Sequence, residues 1–116
     1  MIRLDLKGDA TLVIFYGEGD FGVPDGNVDI ELRLSSGERY SATLFTLSNI
    51  KVLLEMYQKT GENLSGLYFQ CPDAVIIRDI LPETILDWMQ HLRKEGLVQD
   101  VLSPLGPDEE SEATGE

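Results

Sequence analysis

The stretch Tyr40–Asp79 constrains the fold most, because a strand pattern leads into a capped amphipathic helix and then into further strand patterns. Thr46 or Ser48 supplies a hydroxyl that can accept a hydrogen bond from a free amide in the first helical turn. Gly61 supplies the left-handed residue that ends the helix. The apolar stripe between these signals consists of Ile50, Leu53, Leu54 and Tyr57. A helix of about 14 residues is marginal alone in water, so we expect this one to dock on a sheet through that stripe.

Two hairpins are predicted before this stretch. Ile2–Lys7 alternates apolar and polar residues, and the turn signal Gly8-Asp9 connects it to Ala10–Tyr16, which is rich in β-branched and aromatic residues. After an irregular, glycine-rich segment, Val28–Leu34 alternates cleanly and Arg39–Phe45 returns as its partner strand.

The remainder of the chain predicts two short strands and a second helix. The strands are Leu67–Cys71 and Ala74–Arg78, and the helix runs from Pro82, where a missing amide costs nothing, to about Glu95. Leu97–Leu102 either adds a last short strand or docks on the domain. We therefore expect an α+β fold in residues 1–102: a twisted antiparallel sheet of five to seven strands with two helices on one face, in the order ββββαββα. Residues 103–116, rich in acids, Pro, Gly and Ser, are predicted to be a disordered tail.

The charge of the chain restricts its partners. Nine Lys and Arg against 21 Asp and Glu give a net charge of −12, and because residues 103–116 hold five of the acids, the body carries −7. Such a field repels nucleic acids and anionic lipids, whose binders place cations on phosphates. It attracts cationic proteins and raises the rate of encounter with them. The alternative is that the negative charge only keeps a small protein soluble.

Cys71 is the single cysteine, so a disulfide scaffold is not expected. The start of the sequence lacks the apolar run of a signal peptide, and no stretch approaches the roughly 20 apolar residues that cross a bilayer. The expected location is the cytoplasm.

Three groups of residues could take part in catalysis, phosphate binding or metal binding, but a structural role explains each group more simply. Cys71 and His91 are the one pair that resembles a nucleophile and a base, but no motif surrounds either. The loop Gly17–Gly22 resembles a phosphate cradle, yet a strand rather than a helix follows and its acids would repel phosphate. An oxygen-rich set lacks the EF-hand register and is explained by turn chemistry; it consists of Asp20, Asp25, Asn27 and Asp29. The sequence therefore predicts no catalytic residue, metal site or cofactor.

The exposed acids of the irregular loop and of the following strand predict an acidic recognition surface. Its candidate residues are Glu18, Asp20, Asp25, Asp29 and Glu31. The alternative interpretation is an ordinary solvated face.

The segments Tyr40–Ile50, Gly61-Glu62, Gly66–Phe69 and Val75–Asp79 are similar to a recurring pattern in small, uncharacterised bacterial proteins. In that pattern a strand leads to a helix, then to a glycine-bounded turn with a Tyr-Phe pair, a hydrophobic strand and a closing helix. Some members resemble immunity proteins of bacterial toxin systems in size, acidity and α+β layout. The resemblance spans roughly residues 28–97 and brings no catalytic motif.

These observations favour a non-enzymatic module that binds a protein partner, a cationic toxin or other basic protein being the partner class that the acidic surface suits. One alternative is a self-associating structural protein with no electrostatic partner, which a stable homodimer in solution would indicate. A second is an enzyme that uses Asp20, Asp25 or Cys71.

Overall fold

The structure, a computed structural model, describes residues 1–105 of the 116. Most of the predicted acidic tail, residues 106–116, lies outside the described residues. In chain order the elements are β1 Ile2–Leu6, β2 Ala10–Phe15, β3 Asn27–Leu34, β4 Arg39–Phe45, α1 Leu47–Thr60, α2 Glu62–Gly66, β5 Ala74–Ile76, α3 Pro82–Glu95, α4 Val98–Val101 and β6 Ser103–Pro104.

The six strands form one sheet in the order β1-β2-β3-β4-β5, with β6 also paired to β4. The first four strands are joined by antiparallel pairings, which confirms the predicted α+β fold and its strand-first order. β5, however, lies parallel to β4. Between α1 and α3 there is one strand rather than the two predicted, because Leu67–Cys71 forms no strand. The chain therefore crosses from β4 to β5 through α1 and α2.

The core lies between one face of the sheet and α3. The sheet contributes alternate side chains that are fully buried: Leu12, Ile14, Ile30, Leu32 and Leu44. Ile85, Met89 and Leu92 of α3 are buried against them. Burying an apolar side chain of this size contributes roughly 1.5–3 kcal/mol. Arg93 at the end of α3 donates to the backbone carbonyl of Lys7, which fixes the helix against the β1–β2 turn.

Helix α1 has the predicted bounds but does not dock on the core. The Thr46 hydroxyl accepts from the Asn49 amide at 3.2 Å, and the Gly61 amide donates to the Tyr57 carbonyl at 2.8 Å, so both ends are capped as predicted. No residue of α1 is buried, and none belongs to the core cluster. The prediction of two helices packed on one face is therefore wrong for α1. The apolar face of the sheet is already covered by α3, and the opposite face is largely polar and offers this helix little to pack on.

Segment α2 is a single turn of left-handed backbone packed beside α1. Asn63, Leu64 and Ser65 have φ of 50°, 54° and 57°, a conformation that L-residues rarely adopt in succession. Gly66 follows with φ 86°, and a Cβ there would lie 2.6 Å from the Leu54 carbonyl oxygen. Only glycine permits this approach, so the close packing of α2 on α1 depends on it.

The C-terminal part of the described chain belongs to the domain beyond the predicted boundary. Val98–Val101 forms α4, and Leu102 is buried. Ser103 and Pro104 then pair with β4, and the Leu105 amide donates to the Arg39 carbonyl at 2.8 Å. The predicted tail boundary at residue 103 is therefore too early, because the edge of β4 offers backbone groups that this segment satisfies.

We expect α3 to contribute more than α1 to the free energy of unfolding. Met89→Ala should lower the free energy of unfolding by about 2–5 kcal/mol, because it opens a cavity under the sheet. Leu53→Ala should lower it by less, about 1–2 kcal/mol, because Leu53 keeps some exposure and lies outside the core cluster. Guanidinium unfolding at one low protein concentration measures both. Equal losses would contradict the position of α1 outside the core.

Candidate functional site

One face of the sheet is left uncovered by α3 and forms a shallow acidic depression. Phe15, Asp29, Thr43 and Ala74 lie in register across β2, β3, β4 and β5, with their side chains on this face. The depression has a volume of about 430 Å³. We call it the acidic strand face and define it by the side chains of Phe15, Asp29, Glu31, Ser41, Thr43 and Asp73.

Hydroxyl groups of β4 orient two of the three carboxylates. The Thr43 hydroxyl donates to Asp29 Oδ1 at 2.7 Å, and the Ser41 hydroxyl donates to Asp73 Oδ2 at 3.3 Å. The Thr43 amide also donates to the Asp73 carbonyl at 3.0 Å, which ties the turn before β5 to the sheet. Within residues 1–105 neither Asp29 nor Asp73 forms an ion pair. Their negative charges therefore remain available to a ligand.

Glu31 differs from these two because cations of the chain itself already bind it. Its Oε1 lies 2.7 Å from Arg33 Nε and 3.8 Å from Arg39 Nη1. The Glu31 side chain is 16% exposed and that of Arg33 31% exposed, so the pair is partly shielded from solvent. Of the two strand acids predicted for recognition, Asp29 is consequently the one with an uncompensated charge.

The three acids of the loop do not join this depression. Glu18, Asp20 and Asp25 are exposed in the segment between β2 and β3. The loop is held elsewhere: Pro24 accepts from the Ile80 amide at 2.9 Å, and Gly26 accepts from the Thr46 amide at 3.1 Å. Among the described residues no hydrogen bond joins the loop carboxylates to Asp29 or Glu31, whose partners are Thr43 and two arginines. The five predicted acids therefore form two separate groups.

Asp73 belongs to the site but was not predicted. In the sequence it reads only as half of a Pro-Asp turn between two strands. Its position beside Asp29 depends on the parallel pairing of β4 with β5, which sets Ala74 next to Thr43. No local pattern encodes that pairing.

The other candidate constellations are dispersed. The Cys71 thiol lies 4.0 Å from Asp73 Oδ1, whereas His91 is exposed on α3. Asn27 donates to the Asn49 side chain at 2.9 Å, so the oxygen-rich set does not converge on one point. In the described part of the chain, no three His, Cys, Asp or Glu side chains gather in a way that could hold a metal ion.

Tyr16 joins the loop to the start of α3. Its hydroxyl donates to the Ile80 carbonyl, and its ring packs edge-on against Phe21 with centroids 5.8 Å apart. Burial, followed by the charges of Glu83 and Asp79, raises the pKa of Tyr16 to about 12. Nearby, the pKa of Asp79 is lowered, chiefly by the hydrogen bond from Thr84.

A second surface of different character lies on the crossover between β4 and β5. Most of the strongly exposed large apolar side chains of the described residues fall in this stretch, which we call the crossover surface: Leu47, Val52, Met56, Leu64, Leu67, Tyr68 and Ile76. A concentration of exposed apolar side chains in one stretch of the chain is a candidate interaction site.

Comparisons with known proteins indicate no function, so a functional proposal has to be based on the fold and on the two surfaces. No family model, curated protein or solved structure gives a significant match to the chain. None of the helices within residues 1–105 has the length and apolar character that a bilayer-spanning segment needs.

The raised pKa of Tyr16 predicts a loss of stability in alkali. The unfolded phenol ionises near pH 10 and the folded one near 12, so stability is complete below pH 10 and falls as the pH rises between these values. The fall attributable to Tyr16 should be about 1 kcal/mol after allowance for solvent screening. Unfolding midpoints from pH 9 to 12 for the wild type and Tyr16→Phe measure it. A difference between the two proteins that stays constant with pH would contradict the prediction; Tyr68→Phe is the exposed control.

Proposed function

We propose that the chain is a non-enzymatic protein-binding module that engages a basic protein through the acidic strand face. The observation that carries the proposal is the uncovered face of the sheet, where Asp29 and Asp73 form no ion pair with any described residue and Thr43 and Ser41 hold them in place. Such preorganised carboxylates suit a lysine or arginine side chain of a partner.

The surroundings of the two carboxylates support a cationic ligand. The hydroxyls of Ser41 and Thr43 use one lone pair on each acid and leave the other oxygen atoms for the partner. Phe15 borders the same depression, and an aromatic ring attracts a cation that lies over its face. The net charge of −12 raises the rate at which a basic protein encounters this surface.

The proposal of a binding module rather than an enzyme rests on how the reactive groups are distributed. The side chain that Cys71 approaches is the acid Asp73, and His91 lies exposed on a different element. A nucleophile needs a base within hydrogen-bond reach and a group that orients that base. The described residues hold no such arrangement around Cys71.

The resemblance to immunity proteins of bacterial toxin systems indicates which partner class to test first. Those proteins are small, acidic and of α+β layout, and a cationic toxin has the charge that the acidic strand face would bind. A toxin gene next to the gene for this chain would identify the candidate.

Removing the two open charges should weaken binding to the partner. In the double variant Asp29→Asn, Asp73→Asn, association with a basic toxin or another small basic protein should slow about tenfold or more at low salt. Stopped-flow measurements over rising salt, with each candidate protein as probe, give the rates. Asparagine keeps the hydrogen bonds from Thr43 and Ser41, so the sheet should remain intact.

The matched control removes two charges elsewhere. Glu38→Gln with Asp87→Asn alters one exposed turn residue and one exposed residue of α3, and leaves the acidic strand face unchanged. We expect a much smaller effect from this variant. Equal losses in the two double variants would show that net charge alone acts, and a rate indifferent to ionic strength would remove the electrostatic basis of the proposal.

A further inference from the structure

We propose that the crossover surface is the docking site for a second copy of this chain, so that the protein assembles as a symmetric dimer through α1 and α2. This inference is independent of the acidic strand face, because it rests on different residues and on different chemistry.

Helix α1 lies outside the core of the domain, and its cover is incomplete. The core cluster contains none of its residues. The residues of its apolar stripe, Ile50, Leu53, Leu54 and Tyr57, are mostly buried but keep some exposure. A 14-residue helix is marginal in water unless an amphipathic face is packed. Within residues 1–105 the element that packs along α1 is α2, which is a single turn.

The exposed apolar side chains flank this mostly buried stripe. Val52 and Met56 lie one turn apart on one side of α1. On the other side Gly66 approaches the backbone of Leu54 and Gln58, and it is followed by Leu67. Leu64, in the left-handed turn, is 73% exposed. The apolar band therefore extends from one flank of α1 across its stripe to α2.

The exposed apolar area of the crossover surface is of the order that a stable dimer buries. Its seven side chains are 44–73% accessible and together present roughly 700 Å², against about 800 Å² per partner in a typical protein interface.

The charge of this stretch identifies a second copy as the occupant. Residues 47–76 hold Lys51 and Lys59 against Glu55, Glu62 and Asp73, a net charge of −1, whereas the whole chain carries −12. Two such chains repel each other over most of their surface and least here. A basic partner, in contrast, gains more from the acidic surfaces elsewhere.

Sedimentation equilibrium of the full chain from about 1 to 100 µM tests the dimer. The wild type should approach twice the monomer mass of 12.9 kDa. Val52→Glu and Met56→Glu should each raise the dissociation constant about tenfold or more, because each places a charge in the apolar band. Both side chains are exposed, so the monomer should keep its circular dichroism spectrum. Val23→Glu is the matched control, since Val23 is exposed outside the crossover surface.

Three results would overturn the dimer itself. The first is a wild type that remains monomeric throughout the concentration range. The second is a dimer that Val23→Glu disrupts as much as Val52→Glu does. The third is a monomer whose complex with a basic protein is lost in Val52→Glu, which would assign the crossover surface to that partner. Because the acidic-face experiment uses Asp29 and Asp73, its failure is distinguishable from each of these.

Discussion

The packing of α3 on one apolar face of the sheet is the constraint on which the rest of the structure depends. Once Ile85 and Met89 cover that face, no further apolar sheet surface of comparable size remains for α1. The opposite face could accept a helix only by burying the charges of Glu31, Arg33 and their neighbours, and burying charged groups is costly. The chain therefore has two amphipathic helices but one apolar sheet face. The helix left over lies outside the core and packs with α2, and most of the crossover surface lies on and beside these two elements.

The same division of the sheet produces the acidic strand face. Side chains alternate between faces, so burying Val28 and Ile30 in the core necessarily turns Asp29 and Glu31 to the other side. Glu31 is then compensated by arginines of neighbouring strand positions, and Asp29 is not. Fully buried Val13 lies between Arg3 and Glu31 in register, which indicates that the stems of charged side chains cover it. The uncovered face is thus a charged layer with one region, around Asp29 and Asp73, where negative charge is unopposed.

What the sequence predicted correctly was local. The bounds of α1 follow from Thr46 and Gly61, and the first four strands follow from alternation and turn residues, because each signal acts within a few positions. The errors were non-local. Whether α1 docks depends on competition with α3 for one surface, and periodicity cannot report that outcome. The parallel position of β5 similarly depends on the crossover as a whole, so the strand predicted at Leu67–Cys71 was wrong and Asp73 was overlooked. The left-handed turn at Asn63–Ser65 had no sequence signal beyond its flanking glycines.

Added salt should weaken binding at the acidic strand face and favour dimerisation through the crossover surface. Binding of a cation to Asp29 and Asp73 is an attraction between unlike charges, and added salt screens it. The proposed dimer brings together two chains of charge −12 through a nearly neutral, apolar stretch. Salt therefore screens mainly repulsion there, while the apolar contact is little affected. A dimer formed in this way leaves two acidic strand faces on one particle of doubled charge, so assembly through the crossover surface raises the attraction for a basic partner without using the residues that would bind it.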